Sequence, residues 1–403
     1  MKRNKVLIIL DLSASVIMIL GLTGAAFAQH SFKELYQFPG DETGFQPTNS
    51  PIIFDAAGNV YGNLVEYDYS TGVVYQLTPN PDGSWTMNDL YQFTGGADGG
   101  SPQGAPTFDA SGNLYGTTVS LFGGIGANVV FKLAPNPDGT WTESVLYTFS
   151  GGADGGSPLS GVILDAAGNL YGTTSGGGAS GAGTVFKLAP NPDGTWTESV
   201  LYSFSGGSDG GNPNAGLIFD TAGNLYGATP TGGAGAGVVF KLTPNPDGIW
   251  TENVLFTFAH ARDGADPEGG LTFDAVGNLY GTTRTGGSSN GTVFQLRQNP
   301  DHSWTEHVLY RFTGGSDGCF PQSGVTTDSF GNLYGTTQNC GLGSGVAFQL
   351  KRHKSGSWTL QVLNEFNNGI GPNRMIFDLS GNLYGTTCCG GSYGYGNLFE
   401  IVR

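Results

Sequence analysis

The chain has 403 residues, 32 acids against 16 bases and a formal charge of −16, with 70 glycines and charged side chains at only 12% of positions. That acidity excludes nucleic acid and anionic membrane surfaces as partners, since both need Lys and Arg to neutralise phosphate. The scarcity of helix formers, beside many short β-branched and aromatic runs, excludes a helical fold.

The first element reads as a secretory signal. Lys2, Arg3 and Lys5 form a basic start, Val6 to Leu22 is apolar apart from Asp11 and two serines, and Ala26-Phe27-Ala28 supplies a small-residue cleavage site. The alternative, a retained anchor helix, would have to accept Asp11 in a segment near the lower spanning limit of about 17 residues. Cleavage after Ala28 is expected, leaving residues 29–403 as the mature chain with no further membrane span. Loss of three bases and one acid then takes the formal charge to −18. The expected location is secreted, periplasmic or cell-surface.

Beyond the signal, one phrase recurs seven times, Asp-x-x-Gly-Asn-(Leu/Val)-Tyr-Gly. Its Asn stands at Asn59, Asn113, Asn169, Asn224, Asn278, Asn332 and Asn382, at intervals of 54, 56, 55, 54, 54 and 50 residues. Length alone suggests two or three domains, but a fixed period of this size marks a solenoid, an array or a propeller. The fourth copy shows the unit. Gly216 to Asp220 is a short apolar strand, A, which turns through Thr221-Ala222-Gly223 into strand B, Leu225 to Ala228. Asp opening and Gly closing that turn are what a type I turn with a left-handed residue requires. A Gly/Ala-rich loop leads to strand C, Val238 to Leu242, and Asn245-Pro246-Asp247-Gly248 turns it into strand D, Trp250 to Phe258. All six tryptophans (Trp85, Trp141, Trp196, Trp250, Trp304, Trp358) open a strand D. That position reads as packing between sheets in preference to ligand stacking.

Four consecutive antiparallel strands per unit make a propeller blade, so the expected fold is all-β, a seven-bladed β-propeller in one domain over 29–403. The ends of the chain support a closed ring. The last copy stops at Arg403 after strand C, and Ser31 to Phe38 matches the later half of a strand D. The N-terminal strand is therefore expected to complete the last blade and protect its edge.

These motifs resemble the GloVer (Gloeo/Verruco) tandem-repeat family of exported bacterial proteins, and Asp165 to Thr174, Gly183 to Leu188 and Trp196 carry all three parts of its pattern. The A-B hairpin is more distantly similar to NHL-type propellers. The resemblance implies an extracytoplasmic location and no established catalytic activity. Family members often carry a C-terminal sorting segment, and its absence after Arg403 favours release. The Asn-Pro-Asp-Gly-Thr-Trp turn invites comparison with the sialidase Asp-box, but Asp138 stands three residues before Trp141 where that motif needs five, so no glycosidase is inferred.

In such a blade the D-to-A and B-to-C loops share one face, the default place for a binding site at the channel mouth. Five D-to-A loops place an Asp five residues after the last Phe of strand D: Asp98, Asp154, Asp209, Asp263 and Asp317. They are candidate ligands for Ca²⁺, which takes several oxygens, or loop-shaping residues. Thr43 and Asn367-Asn368-Gly369 break the pattern. No other cofactor is expected. His260, Arg262 and Asp263 make the loop between blades 4 and 5 the most polar and a further binding candidate. The turn Asp residues of the opposite face read as caps.

All four cysteines lie in the last two blades, and in an exported chain they read as two disulfides. Of three pairings we favour Cys319 with Cys340 and a vicinal Cys388 with Cys389; a thiolate metal site lacks the C-x₂-C spacing of zinc modules. No His pairs with Ser or Cys in a nucleophile motif, and no phosphate loop is present. The reading is a monomeric, non-catalytic binding or surface-associated module for a glycan or protein ligand. The alternatives are a metal-dependent propeller enzyme of lyase or lactonase type, and a structural spacer in an extracellular matrix.

Overall fold

The computed structural model describes residues 30–39, 46–48, 50–66, 71–120, 126–260, 263–341, 343–367 and 371–403. The signal segment 1–28, Thr43, Arg262 and Asn368-Gly369 lie outside them. The described residues contain no helix, and so none that is long and apolar enough to cross a membrane. Their strands form seven antiparallel sheets, each with strands A, B, C and D in order from the inner to the outer edge. This is a seven-bladed β-propeller. Blade 3 is representative, with strands Ile163–Leu164, Leu170–Thr174, Thr184–Pro190 and Trp196–Ser203.

The recurring phrase has a local physical cause. In blade 3, Asp165 Oδ1 accepts the amides of Ala167 and Asn169, each at 2.9 Å, while Oδ2 accepts Asn169 Nδ2 at 2.7 Å and the Tyr171 phenol at 3.0 Å. One carboxylate thus ties the Asp, Asn and Tyr of the motif into a closed A-B turn. The same four bonds recur at Asp55, Asp109, Asp220, Asp274 and Asp328. In blade 7, Asp378 keeps the two amide bonds, but Asn382 Nδ2 turns to Glu400 Oε1 at 2.9 Å. The final Gly of the phrase is steric: a Cβ on Gly172 would stand 2.6 Å from the Phe186 ring.

Blades are held to one another by aromatics. The terminal Phe of each strand D meets the central strand C aromatic of the next blade, seven contacts in all, with centroids 4.9 to 5.3 Å apart. Tryptophans pack across the same seams, Trp196 against Tyr115 at 6.3 Å for example. The buried clusters accordingly straddle neighbouring blades: Tyr171, Val185 and Phe204 of blade 3 pack with Leu225, Phe240 and Leu242 of blade 4.

The ring closes as expected. Ser31–Gln37 pairs antiparallel with Asn397–Val402, from Ser31 opposite Val402 to Gln37 opposite Asn397, and Lys33 Nζ meets the buried Glu400 Oε2 at 3.0 Å. Two details differ from the sequence reading. Strand A pairs over Ile218–Phe219 and not over Gly216 to Asp220, because the residues before Ile218 leave the sheet to line the axial channel. Strand D carries a bulge in every blade, Leu146 between Val145 and Tyr147 in blade 2, which adds twist toward the rim.

Candidate binding site at the channel mouth

The D-to-A and B-to-C loops meet on one face, where backbone bridges such as Gly156 to Gly176 join them. In these loops the aspartates act first on their own backbone. Asp317 Oδ2 accepts the Thr313 amide at 2.8 Å and the Tyr310 phenol at 3.0 Å, and Oδ1 accepts the Thr313 hydroxyl at 2.6 Å. Asp98, Asp154 and Asp209 accept the equivalent set from Tyr91 and Thr94, Tyr147 and Ser150, and Tyr202 and Ser205. Burial alone would raise these carboxyls, but the hydrogen bonds outweigh it and hold all four below the ordinary Asp value.

Asp263 is the exception. Phe256 and Ala259 replace the phenol and hydroxyl donors, so it accepts the Ala259 amide at 3.0 Å and leaves Oδ1 buried with no partner among the described residues. His260 beside it sits at φ 65° and donates from Nε2 to Gly235 O at 3.0 Å. Among the described residues, no group of three His, Cys, Asp or Glu is placed to hold a metal ion.

Inward of the aspartates the chain dives into the channel through a tight turn. Ser157, Asn212, Asp266 and Phe320 all have φ between 54° and 58°, each directly before a proline. This left-handed conformation is uncommon for non-glycine residues and an outlier for a bulky one such as Phe320. It aims the next residues at the axis, where they line a cavity of about 420 Å³. The residue after each proline differs from blade to blade: Thr48, Gln103, Leu159, Asn214, Glu268, Gln322 and Asn373. The position two before the strand A residue that pairs with the motif Tyr is small or Pro in six blades, Pro51, Ala105, Gly161, Gly216, Gly270 and Gly324, and is Arg374 in the seventh.

Arg374 is the departure that sequence reasoning missed, because within one copy it reads as the first residue of a strand. Its guanidinium crosses the channel wall, donating from Nη2 to Val325 O of blade 6 at 2.8 Å and bringing Nη1 to 3.1 Å from where a Gly270 Cβ of blade 5 would sit. Burial lowers its pKa to about 10, so it stays cationic at neutral pH. Among the described residues no carboxylate pairs with it. Among the described residues the one acid lining the cavity, Glu268, lies 3.9 Å from Arg284; burial raises its carboxyl against the pull of that cation.

Cys319 and Cys340 form a disulfide between the D-to-A and B-to-C loops of blade 6, as expected. Cys388 and Cys389 are not bonded; their Sγ atoms stand 3.5 Å apart, with Cys389 Sγ 3.7 Å from Gln46 Oε1.

No functionally curated protein matches the sequence. Among solved structures, the chain is similar to virginiamycin B lyase from Staphylococcus aureus, with TM-score 0.56 and 14% identity over 93% of this chain and 100% of that one. It is also similar to a protein from Lactobacillus plantarum (0.51, 17%, 78% and 83%) and to the polysaccharide lyase Uly1 (0.51, 11%, 92% and 92%). At these identities the likeness is one of fold. The Gloeobacter/Verrucomicrobia repeat matches residues 25–191, 121–341 and 252–403, and with the motif geometry above this chain belongs to that repeat family.

Proposed function

We propose that the protein is an exported, non-catalytic binding module that holds a glycan or protein ligand at the loop-face mouth of its axial channel. The observation that carries this reading is the position after the loop prolines, where six of the otherwise repetitive blades present side chains of four kinds around one cavity: Gln103, Leu159, Asn214, Glu268, Gln322 and Asn373. A scaffold gains nothing from that variety, whereas recognition of an asymmetric ligand needs it. A single unrepeated carboxylate, Glu268, with no His beside it in the cavity lining, supports binding over acid-base chemistry. The Cys319–Cys340 disulfide supports an oxidising compartment, in keeping with the signal-like start of the chain.

A glycan array probed with residues 29–403, beside the double variant Asn214→Ala/Gln322→Ala, tests the reading. Binding that disappears in the variant is expected. Binding that survives it unchanged would move the site elsewhere.

A further inference from the structure

We infer that the channel mouth takes a carboxylated sugar, its carboxylate seated on Arg374 and its hydroxyls donated to the side-chain oxygens of Asn214 and Asn373. This rests on the binding reading above and gives it a ligand class.

The first support is the cation itself. A guanidinium has five N–H donors in a planar fork that matches a carboxylate, and Arg374 commits one of them, to Val325 O. Taking an unpaired charge out of water is costly, and a structural arginine ordinarily recovers that cost from a nearby acid. In a chain of net charge −16, with 32 acids to choose from, Arg374 has no acidic partner among the described residues. The seat for it is prepared as well. Gly270 stands at the Arg374 position two blades earlier, and a Cβ there would come within 3.1 Å of Arg374 Nη1.

The second support is independent of charge. Asn214 Oδ1 and Asn373 Oδ1 belong to residues that line the same cavity, and both are buried without a hydrogen-bond partner. For Asn373 the amide orientation is fixed, because Nδ2 donates to Thr48 O and to Thr386 Oγ1 at 2.8 Å. Its oxygen is therefore an acceptor awaiting a donor. Buried acceptors are ordinarily satisfied, and hydroxyl groups are donors suited to these. A ligand with one anionic group and several hydroxyls answers both needs at once. A carboxylate fits better than a phosphate, since a dianion would be opposed more strongly by the acidic chain.

The test is calorimetric titration of residues 29–403 with trigalacturonate, with neutral galactotriose and a sulfated galactose trisaccharide as the other arms. Trigalacturonate should bind, and Arg374→Met should weaken it at least tenfold while Arg374→Lys recovers part of the loss. Asn214→Asp, which leaves the guanidinium in place, should weaken it too by setting a carboxylate beside the bound one. Melting curves identify any variant that has failed to fold. Equal binding of the neutral trisaccharide, or an Arg374→Met variant that folds and binds as before, would overturn the inference and leave the binding reading standing. A preference for the sulfated sugar would replace carboxylate by sulfate and equally refute it. If neither these sugars nor any glycan on the array binds, the glycan reading itself fails.

Discussion

The two faces of the propeller are built from the same residue type used alike, and they differ in what lies inward of it. On the turn face, Asp165 accepts four hydrogen bonds and closes a hairpin. On the loop face, Asp154 accepts the amide and hydroxyl of Ser150 and the Tyr147 phenol, and closes a loop. Both are scaffold. What distinguishes the loop face is that its chain continues through a left-handed residue into the channel, where side chains are free to vary. The turn face is not wholly uniform either: Val276, Phe330 and Leu379 are 83%, 82% and 97% exposed, where blades 1 to 4 have Ala, Ser or Thr. On both faces the departures gather in blades 5 to 7.

The largest test of the comparison is the disulfide. Joining residues 21 apart in sequence, it restricts the unfolded chain, and Cys319→Ser with Cys340→Ser should cost about 3 kcal/mol in denaturant unfolding. A cost below about 1 kcal/mol would show the loop face of blade 6 to be rigid without it. Next come the aspartates. Asp165→Ala and Asp154→Ala should each cost about 2 kcal/mol, because each strands several donors. Asp263→Ala should cost under about 1 kcal/mol, since Asp263 has lost the phenol and hydroxyl donors. If Asp154→Ala proves harmless, the two faces do not share a device.

Acidity offers a third test, with a defined sign. Glu143, Glu198, Glu252 and Glu306 each extend from a strand D toward the loop Asp of the preceding blade, and burial, with that neighbouring charge, raises each to about 7. A carboxyl raised above its unfolded value stabilises fully below that value and loses the contribution as pH rises through 7. The turn and loop aspartates, lowered by their hydrogen bonds, contribute above the ordinary Asp value and fail only in stronger acid. The melting temperature should therefore be several degrees higher at pH 5 than at pH 8, and changing all four Glu to Gln should flatten the slope. A protein most stable at pH 8 would contradict this. The smallest expected effect is that of calcium: with the loop carboxylates already capping their own loops, millimolar Ca²⁺ should shift melting by less than about 1 °C. A rise of several degrees, reversed by chelator, would show that loop carbonyls complete a site.

The fold was legible because each element of the repeat has a local cause repeated seven times. Asp165, Asn169 and Tyr171 form one hydrogen-bonded unit, and the mismatch between the chain ends, one lacking strand D and the other supplying it, told how the ring shuts. The shared loop face left three pairings of the four cysteines, and of the favoured set the structure forms Cys319 with Cys340 but not Cys388 with Cys389. The site was less legible. Sequence reasoning drew attention to Asp98 and its counterparts, whereas the channel is reached through Ser157-Pro158 and its equivalents. A residue before proline is expected to be extended, so nothing local announced the left-handed turn. Arg374 could have been found by laying the seven copies side by side, since it alone brings charge to a position that is elsewhere small or Pro. Its meaning needed the third dimension, which shows it reaching across two neighbouring blades. The swap of Asn382 from Asp378 to Glu400 was likewise invisible, because the phrase itself is unchanged.

Ring closure has a kinetic side. Lys33 and Glu400 are 367 residues apart, so the pairing that completes blade 7 joins the first strand made to the last. Closing a loop of that length costs about 5 kcal/mol in chain entropy, which favours its formation only after the other blades have stacked and drawn the two ends together. Until then the molecule is an open arc with an unpaired strand at each end. Each end is complementary to the opposite end of another copy as well as to its own. Dilution during refolding should decide between a ring that bites its own tail and a chain of arcs joined by exchanged strands.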